Sequence, residues 1–587
     1  MPAVKQKPPK KRHVARHPDD ASATGLRSTP SLTPLRRRSF TVITLLLPLL
    51  AFAALELTLR LAHYGPDLSL FTTEEIDRTT YHIMNPLVKL RYFSRGESHA
   101  TTSADYFVMP KPSGTFRIFC LGGSTTAGYP YWYNGSFSSF LRERLHRTFP
   151  TRNIEVINLG MTATNSFTVL DVARELTGYE PDLLIVYDGH NEFYGALGVA
   201  SRETVLGGRF LANLTLRLAH CRVFMLLRQG FEASHALVRG GPELGRQNIT
   251  MESLARGTYI PYGSQIYNDG KYTFRANLDD LRDLCRENGI PLILSSQVSN
   301  LRGYPPFVSR RPDDLLPDAR QTINAAIAAG EAAVSNRDWE TAVEKFRGAA
   351  ALDSLHAGTR FAIACCLDVS GRRMEARREY IRARDFDQLR FRTSGDFNRL
   401  ITEMEDSTTA GVADMERLFM VHSPDSLTGN ELVLDHVHPN SRGYFLMGGE
   451  YAAVMRHRGI LASPEEWARN DTIPDSILWK ERPVTEVDER IAARRTAILT
   501  AGWPFVSHEG VVPPVESADT LGQIVERFVE GKWGWVEAHQ AAASFYAGRR
   551  EHENLAREYA VLRAQIPQLL WPLLEPTRIL SEQPVSR

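Results

Sequence analysis

The chain has 587 residues, of which 43% are hydrophobic and 23% are charged, so it is long enough for two to four globular domains. Its formal net charge of +1 gives no indication of a nucleic-acid partner, and we expect none. The five cysteines show neither zinc-site spacing nor a disulfide framework, so no metal-bound or cross-linked scaffold is expected.

The N-terminal region combines a basic tail with an apolar run. Residues 1–38 carry ten Lys or Arg, lack apolar periodicity and are predicted to be disordered. Residues 39–62 are largely apolar, interrupted by Glu56, and approach the roughly 20 residues of a spanning helix. Because Arg36–Arg38 directly precede this run, the positive-inside rule predicts a cytoplasmic tail and an extracytoplasmic main domain, periplasmic in a Gram-negative bacterium. A cleaved signal peptide is the alternative, since Ala51-Phe52-Ala53 resembles a cleavage site.

After a lead-in segment, 63–111, that is predicted to be irregular, apolar strand-like runs alternate with helix-like stretches. The predicted strands are Phe116–Leu121, Glu155–Leu159, Leu183–Tyr187 and Pro291–Ser296. The intervening predicted helices are Phe137–Thr148, about 168–176 and about 276–287. This alternation predicts an α/β fold with a parallel sheet and helices on both faces. In such sheets ligands bind at the carboxyl ends of the strands.

From about residue 320 the pattern becomes purely helical and repeats. Small, aromatic and small residues recur at a spacing of 34, in the pairs Ala342/Ala376, Phe346/Tyr380 and Ala349/Ala383. This period resembles that of tetratricopeptide repeats, whose stacked helices form concave surfaces for protein partners. The alternative is an unrelated helical hairpin. The C-terminal region is also predicted to be helical, and 535–563 is either a further repeat-like hairpin or an unrelated pair of helices.

Five polar or small residues follow predicted strands or occupy a late loop, in one consistent order. Ser124 follows two glycines, Gly160 ends the second strand and Asn191 follows the third. Asp435 and His438 lie together far downstream. Each signal alone is weak, because Gly-Gly-Ser turns and an Asp three residues before a His are common. Together, and in this order, they predict one catalytic site.

The chemistry of acyl transfer requires these residue types. A serine hydroxyl becomes a nucleophile when a base takes its proton, and His438 is the predicted base for Ser124. Asp435 is expected to orient the imidazole and to support its charge. We expect the backbone N–H groups of Ser124 and Gly160, with the side-chain amide of Asn191, to stabilise the oxyanion.

This pattern resembles the SGNH hydrolases, also called the GDSL family, whose four blocks supply Ser, Gly, Asn and Asp-x-x-His. The resemblance implies a three-layer α/β/α, flavodoxin-like domain, a serine-esterase activity and no cofactor. The sequence departs from the family pattern in two places. It reads Gly-Gly-Ser-Thr around Ser124, and it has Glu192 where the family usually has Asp. The predicted organisation is tail 1–38, anchor 39–62, lead-in 63–111, hydrolase domain 112–319, helical insert 320–394, hydrolase domain 395–460 and helical region 461–587.

Three functions are consistent with these residues. The first is an esterase, and the second is an O-acyltransferase that passes the acyl group to a glycan hydroxyl. The third is a protein-binding scaffold with an inert hydrolase domain. His190 and His436 flank the site, but too few further ligands lie in sequence reach, so no metal is expected. The segment beginning at Asn300 either lines the site entrance or is a plain proline-rich loop.

Overall fold

The computed structural model divides the chain into two compact units, 1–64 and 65–587. The residues it describes are 34–93, 100–103, 105–131, 133–201, 208–239, 251, 255, 257–312, 315–506 and 519–565. The disorder predicted for the basic tail concerns residues that lie almost wholly outside these ranges.

The described part of the first unit contains one long helix, α1, Pro34–Leu61. Within it, the span Val42–Leu61 covers 20 residues and includes an 18-residue window with a mean hydropathy of 2.3, none of which is buried in the protein. Glu56 accepts a hydrogen bond from Arg60 Nε at 2.7 Å, so the charge inside the apolar run has an opposite charge one turn away. By length and composition this helix is able to cross a membrane.

The segment predicted to be an irregular lead-in contains a small antiparallel sheet. Its strands are β1, Phe71–Ile76, β2, Thr79–Met84, and β3, Tyr106–Met109, in the order β1-β2-β3. The exposed polar run Thr72-Thr73-Glu74-Glu75 breaks the apolar alternation that predicts a strand, which is why the sequence did not indicate β1. The prediction of irregular structure was wrong here.

The second sheet is the parallel sheet that the sequence predicted. Its strands are β4, Thr115–Gly122, β5, Asn153–Asn158, β6, Leu183–Tyr187, β7, Leu292–Ser295, and β8, Ala410–Ala413. They lie in the order β5-β4-β6-β7-β8 with every pairing parallel. The four predicted strands are present, and β8 is an addition to them.

Helices cover both faces of this sheet, and others form the insert and the C-terminal region with cores of their own. In chain order they are α2 Ser124–Ala127, α3 Phe137–Thr148, α4 Ser166–Leu176, α5 Gly208–Leu218, α6 Arg222–Arg239, α7 Gln265–Glu287, α8 Pro317–Ser335, α9 Trp339–Leu352, α10 Ala357–Val369, α11 Arg373–Phe386, α12 Gly395–Thr402, α13 Met415–His422, α14 Ser441–His457, α15 Pro464–Asn470, α16 Asp475–Lys480, α17 Glu486–Thr500, α18 Thr520–Val529, α19 Trp535–Arg549 and α20 His552–Gln565. Side chains alternate along β4, so Phe119 and Leu121 share a core with α4 and α7. Ile118 and Cys120 point to the opposite core, with α3 and α14. The result is a mixed α/β domain with a helical layer on each side of a parallel sheet.

The strand order places a crevice at one position of the sheet. The first strand of this sheet, β4, lies between β5 and β6, so the connection from β4 to β5 and the connection from β6 to β7 run in opposite directions along the sheet. Open parallel sheets bind ligands outside the carboxyl ends of the strands at such a switch point. Ser124 follows β4 and Asn191 follows β6, so both residues lie at this crevice.

The helical insert consists of two hairpins, α8 with α9 and α10 with α11. All six residues of the recurring pattern are buried, namely Ala342, Phe346, Ala349, Ala376, Tyr380 and Ala383. The spacing thus corresponds to a shared packing role in successive hairpins. Kinship with tetratricopeptide repeats, here and in the α19–α20 hairpin, remains a prediction.

Candidate active site

Ser124 begins the short helix α2 directly after β4, and Gly122 makes that turn possible. Gly122 has φ +148, a value that L side chains rarely adopt. A Cβ there would lie 2.0 Å from Tyr187 O and 2.4 Å from Thr126 Oγ1, so no larger residue fits. The turn presents Ser124 at the edge of the sheet with its side chain partly exposed.

The Asp435–His438 segment is a tight turn that is held by its own backbone. Asp435 Oδ1 accepts hydrogen bonds from Val437 N at 2.8 Å and from His438 N at 2.9 Å. Leu434 N donates to His438 O at 2.8 Å and closes the turn. Because the carboxylate organises the backbone that carries the imidazole, Asp435 and His438 are fixed relative to each other.

Ser124, His438 and Asp435 form one hydrogen-bonded chain. Ser124 Oγ lies 2.8 Å from His438 Nε2, and His438 Nδ1 lies 2.6 Å from Asp435 Oδ2. An ionised carboxylate only accepts hydrogen bonds, so Nδ1 must carry the hydrogen and Nε2 must present its lone pair to the serine. This is the tautomer that a general base requires.

The charge of Asp435 is stabilised although the residue is fully buried. Burial alone would raise the pKa of this carboxyl, but His438 and His436 outweigh burial and hold the pKa well below its usual value. The buried carboxylate therefore remains ionised at neutral pH and is able to support a positive charge that develops on His438.

Two of the three predicted oxyanion donors are uncommitted. Within the described residues, neither the Ser124 N–H nor the Asn191 side chain makes a hydrogen bond to the protein. A Cβ built on Gly123 would lie 3.4 Å from Asn191 Nδ2, which places this amide beside the backbone just before Ser124. An oxygen in the crevice next to Ser124 is thus within reach of two donors from different strand ends.

The third predicted donor, Gly160 N–H, is already committed. It donates to Asn158 Oδ1 at 2.8 Å, while Asn158 Nδ2 donates to Thr126 O at 2.7 Å. A Cβ on Gly160 would lie 2.2 Å from Ala127 N, so glycine is required for the close contact with α2. In this structure Gly160 serves the packing behind Ser124, and its N–H must leave Asn158 before it can bind an oxyanion.

His436, two residues from His438, is placed differently. Its Nδ1 lies 3.4 Å from Asp435 Oδ1 but makes no hydrogen bond there, and burial lowers its pKa. Its ring packs against Phe307 and Phe505, with centroids 5.4 and 5.3 Å away. Asp435, His436 and His438 offer donor atoms within 4.8 Å of one another, yet both ring nitrogens of His438 already have hydrogen-bond partners. The arrangement suits proton transfer better than metal ligation.

Glu192, which directly follows Asn191, connects the loop after β6 to α4. The Glu192 carboxyl is buried and meets Ser166, whose N lies 3.1 Å and whose Oγ lies 2.8 Å from it. Burial, and then the neighbouring Asp188, raise the pKa of Glu192 well above its usual value. Burial also raises the pKa of Asp188 to about 8. The longer Glu side chain thus joins the β6 loop to the start of α4.

The C-terminal helices support the site, a contribution that the sequence did not reveal. The Tyr129 ring lies 4.6 Å from the His438 ring, centroid to centroid. Arg495, on α17, donates to Pro130 O at 3.1 Å and to Tyr131 O at 3.2 Å. Glu489, also on α17, accepts hydrogen bonds at 2.7 and 2.6 Å from Tyr131 Oη and Ser441 Oγ, the latter at the start of α14. Residues more than 300 positions apart therefore hold the wall next to His438, and no local pattern signals such contacts.

The loop after β7 joins the same assembly. Asn300 N donates to His436 O at 3.0 Å, so the segment that begins at Asn300 contacts the Asp435–His438 turn. Asp387, directly after α11, accepts hydrogen bonds from Phe307 N and Val308 N and forms a buried ion pair with Arg392 at 3.0 Å. Asp387 and Arg392, which the predicted insert 320–394 includes, thus contact the loop after β7.

No protein-family model and no curated protein matches this chain.

Proposed function

We propose that this protein is a serine esterase of the SGNH type, with Ser124 as nucleophile, His438 as base and Asp435 as its charge partner. The observation that carries the proposal is the unbroken chain from Ser124 Oγ through both His438 nitrogens to a buried, ionised Asp435. A partly exposed serine at the switch point of a parallel sheet gives that chain access to a ligand.

In the acylation step, Ser124 Oγ attacks the ester carbonyl carbon while its proton passes to His438 Nε2. The oxyanion is bound by the Ser124 N–H and Asn191 Nδ2, and the developing imidazolium is stabilised by Asp435. Collapse of the intermediate breaks the C–O bond, and the alcohol leaves with the proton from His438. An acyl-serine remains.

In the second step His438 removes a proton from an incoming hydroxyl. Water as the nucleophile releases a carboxylic acid, whereas a sugar hydroxyl yields a transferred ester through the same residues. The contact of the His438 ring with Tyr129 provides an aromatic wall on which either an acyl chain or a sugar ring is able to pack. Substrates are accordingly carboxylic esters, including acylated glycans.

We further propose that α1 anchors the chain with its N-terminus in the cytoplasm and with residues after 62 outside. The support is the apolar window Val42–Leu61, preceded by Arg36–Arg38. The helical insert is the proposed surface for a protein partner.

The experiment is an ester panel on the full-length protein in detergent. Short- and long-chain nitrophenyl esters and acetylated glycans are assayed with and without free sugar as acceptor. Wild type should release acid from at least one ester, and Ser124→Ala should not. Ser138→Ala is the matched control, since Ser138 Oγ accepts a hydrogen bond from Asn158 behind the site. Acyl-sugar formation without acid release would assign the transferase, and equal turnover by Ser124→Ala would refute the proposal.

A further inference from the structure

Helix α5 exposes a row of apolar side chains. Phe210, Leu214 and Leu218 are spaced at i, i+4 and i+8, so they share one face, and all three are exposed, Phe210 to 75%. The opposite face buries Ala212 and Leu216 against the domain core. The domain therefore does not need the exposed row for its own packing.

Helix α6 also exposes apolar side chains. Leu226 and Leu227 are exposed, Leu227 to 65%, whereas Val223 and Met225 are buried. The two helices meet at 116°, and together they are apolar enough to satisfy the composition of a bent, membrane-inserted pair. Because of this bend, the two helices do not form a straight span.

Most charges of this helix pair are basic. Residues 208–231 include four arginines and no Asp or Glu, although Arg209 pairs with Asp280 on α7 and Glu232 follows on α6. Arg217 is exposed beside the apolar row of α5 and has no ion-pair partner among the residues that the structure describes. Basic amphipathic helices with large apolar side chains are typical of segments that lie in the headgroup region of a bilayer.

The position of α6 in the chain links it to the proposed anchor. Arg222, the first residue of α6, donates a hydrogen bond to Pro66 O, and a Cβ on Gly65 would lie 3.2 Å from Met225 Sδ. Only residues 62–65 separate Pro66 from Leu61, the end of α1. In the sequence, the residue that Arg222 contacts therefore follows the end of α1 by five positions.

We propose that α5 and α6 lie in the outer headgroup region of the bilayer that holds α1. Their apolar rows would face the acyl chains, and Arg217 would meet lipid phosphates. This inference rests on the proposal that α1 spans the membrane and is independent of the esterase chemistry. The second attachment restricts rotation of the domain about its anchor and so keeps one side of it against the lipid.

The test measures contact between single tryptophans and brominated lipids. Full-length protein is reconstituted into vesicles of phosphatidylcholine and phosphatidylglycerol with bromines near the top of the acyl chains. Leu227→Trp reports on α6, Phe210→Trp reports on α5, and the parent signal from the eight native tryptophans is subtracted. Tyr272→Trp is the matched control, because this aromatic side chain is 71% exposed on α7, in the same unit.

Emission from the Leu227→Trp and Phe210→Trp variants should be lost to the bromines, more so with anionic lipid, while that of Tyr272→Trp is unaffected. Vesicle flotation reports on the anchor separately, and thermal unfolding by circular dichroism verifies each fold. Protein that floats without added quenching at either reporter refutes the placement of α5 and α6 alone. Protein that does not float refutes the anchor and this proposal together, and quenching equal to that of the control refutes any specific contact.

Discussion

At the residue scale, His438 and His436 provide an internal comparison. His438→Ala removes the base that faces Ser124 Oγ and should lower turnover on the order of 10⁵-fold or more. His436→Ala should lower turnover far less than His438→Ala, because His436 makes no hydrogen bond to Ser124 and packs between aromatic rings, although it contributes to the lowered pKa of Asp435. The measurement is kcat/KM for the best ester of the panel. Equal losses in both variants would show that the base is misassigned.

Asp435→Asn should lower kcat by about 10⁴-fold while leaving the nucleophile in place. The amide is able to donate to His438 Nδ1, which favours the tautomer whose Nε2 carries the hydrogen and cannot accept the serine proton. A kcat close to wild type, in a variant whose thermal unfolding is unchanged, would show that Asp435 does not orient the base.

Asn191→Ala should lower kcat by roughly 10²–10³-fold with little change in stability, because the amide has no protein partner among the described residues. Gly160→Ala should instead destabilise the fold, since its Cβ would lie 2.2 Å from Ala127 N. Kinetics and thermal unfolding of both variants test this division. A folded, stable Gly160→Ala variant with reduced kcat would instead show that the Gly160 N–H stabilises the oxyanion.

At the scale of elements, a buried charge cluster joins the C-terminal helices. His539 on α19 lies 3.1 Å from Asp488 Oδ1 on α17 and 2.5 Å from Glu558 Oε2 on α20. Burial lowers the pKa of His539, but Asp488 and Glu558 outweigh it and raise the pKa to about 10. His539→Ala leaves two buried carboxylates without their cation and should cost about 3–5 kcal/mol in the free energy of unfolding.

The same cluster predicts how stability depends on pH. Because the folded pKa of His539 is raised from 6.5 to about 10, its contribution is complete below pH 6.5 and is lost as the pH rises toward 10. The pKa of Asp488 is lowered, so its contribution is present above pH 3.8 and is lost as the pH falls. The midpoint of urea unfolding should therefore decline from pH 6.5 to 10 in wild type and decline less in His539→Ala. Parallel declines would contradict the assignment.

The boundary of the helical insert is a further prediction. Replacing 317–383 with a flexible linker should retain hydrolysis of a small ester, because residues 384–392 and their buried contacts remain. Asp387→Ala, in the intact chain, should abolish activity through misfolding, since it leaves Arg392 buried and unpaired at a cost of about 3–5 kcal/mol. Activity and thermal unfolding are measured for both variants. Loss of activity in a folded linker variant, together with retained activity in Asp387→Ala, would show that the insert helps to form the site.

At the scale of the whole molecule, a reporter fused after Arg587 should be active outside the cytoplasm, because the apolar span Val42–Leu61 follows a run of three arginines. A periplasmic phosphatase and a cytoplasmic fluorescent protein are compared as fusions. A fusion active only in the cytoplasm would overturn the compartment and the placement of the site.

The sequence predicted the parallel sheet and the order of the site residues because β6 is a continuous apolar run, β4 is apolar from Ile118 onward and β5 carries Ile154, Val156 and Ile157, and polar or small residues follow each strand. It missed β8, whose four residues Ala410–Ala413 are small and lack a strand pattern. It also missed the contacts of Arg495 and Glu489 with Tyr131, because ion pairs and hydrogen bonds between distant residues leave no periodicity. The sequence also predicted Gly160 as an oxyanion donor, but its backbone N–H donates to the Asn158 side chain in this structure, and no sequence pattern signals that contact.

The most direct test of Ser124 as nucleophile and His438 as its base is labelling of the full-length protein with a fluorophosphonate, followed by mass spectrometry of its peptides. One adduct is expected, on Ser124; it should be retained in His436→Ala and lost in His438→Ala. An adduct on another serine, or labelling of Ser124 that persists without His438, would contradict it.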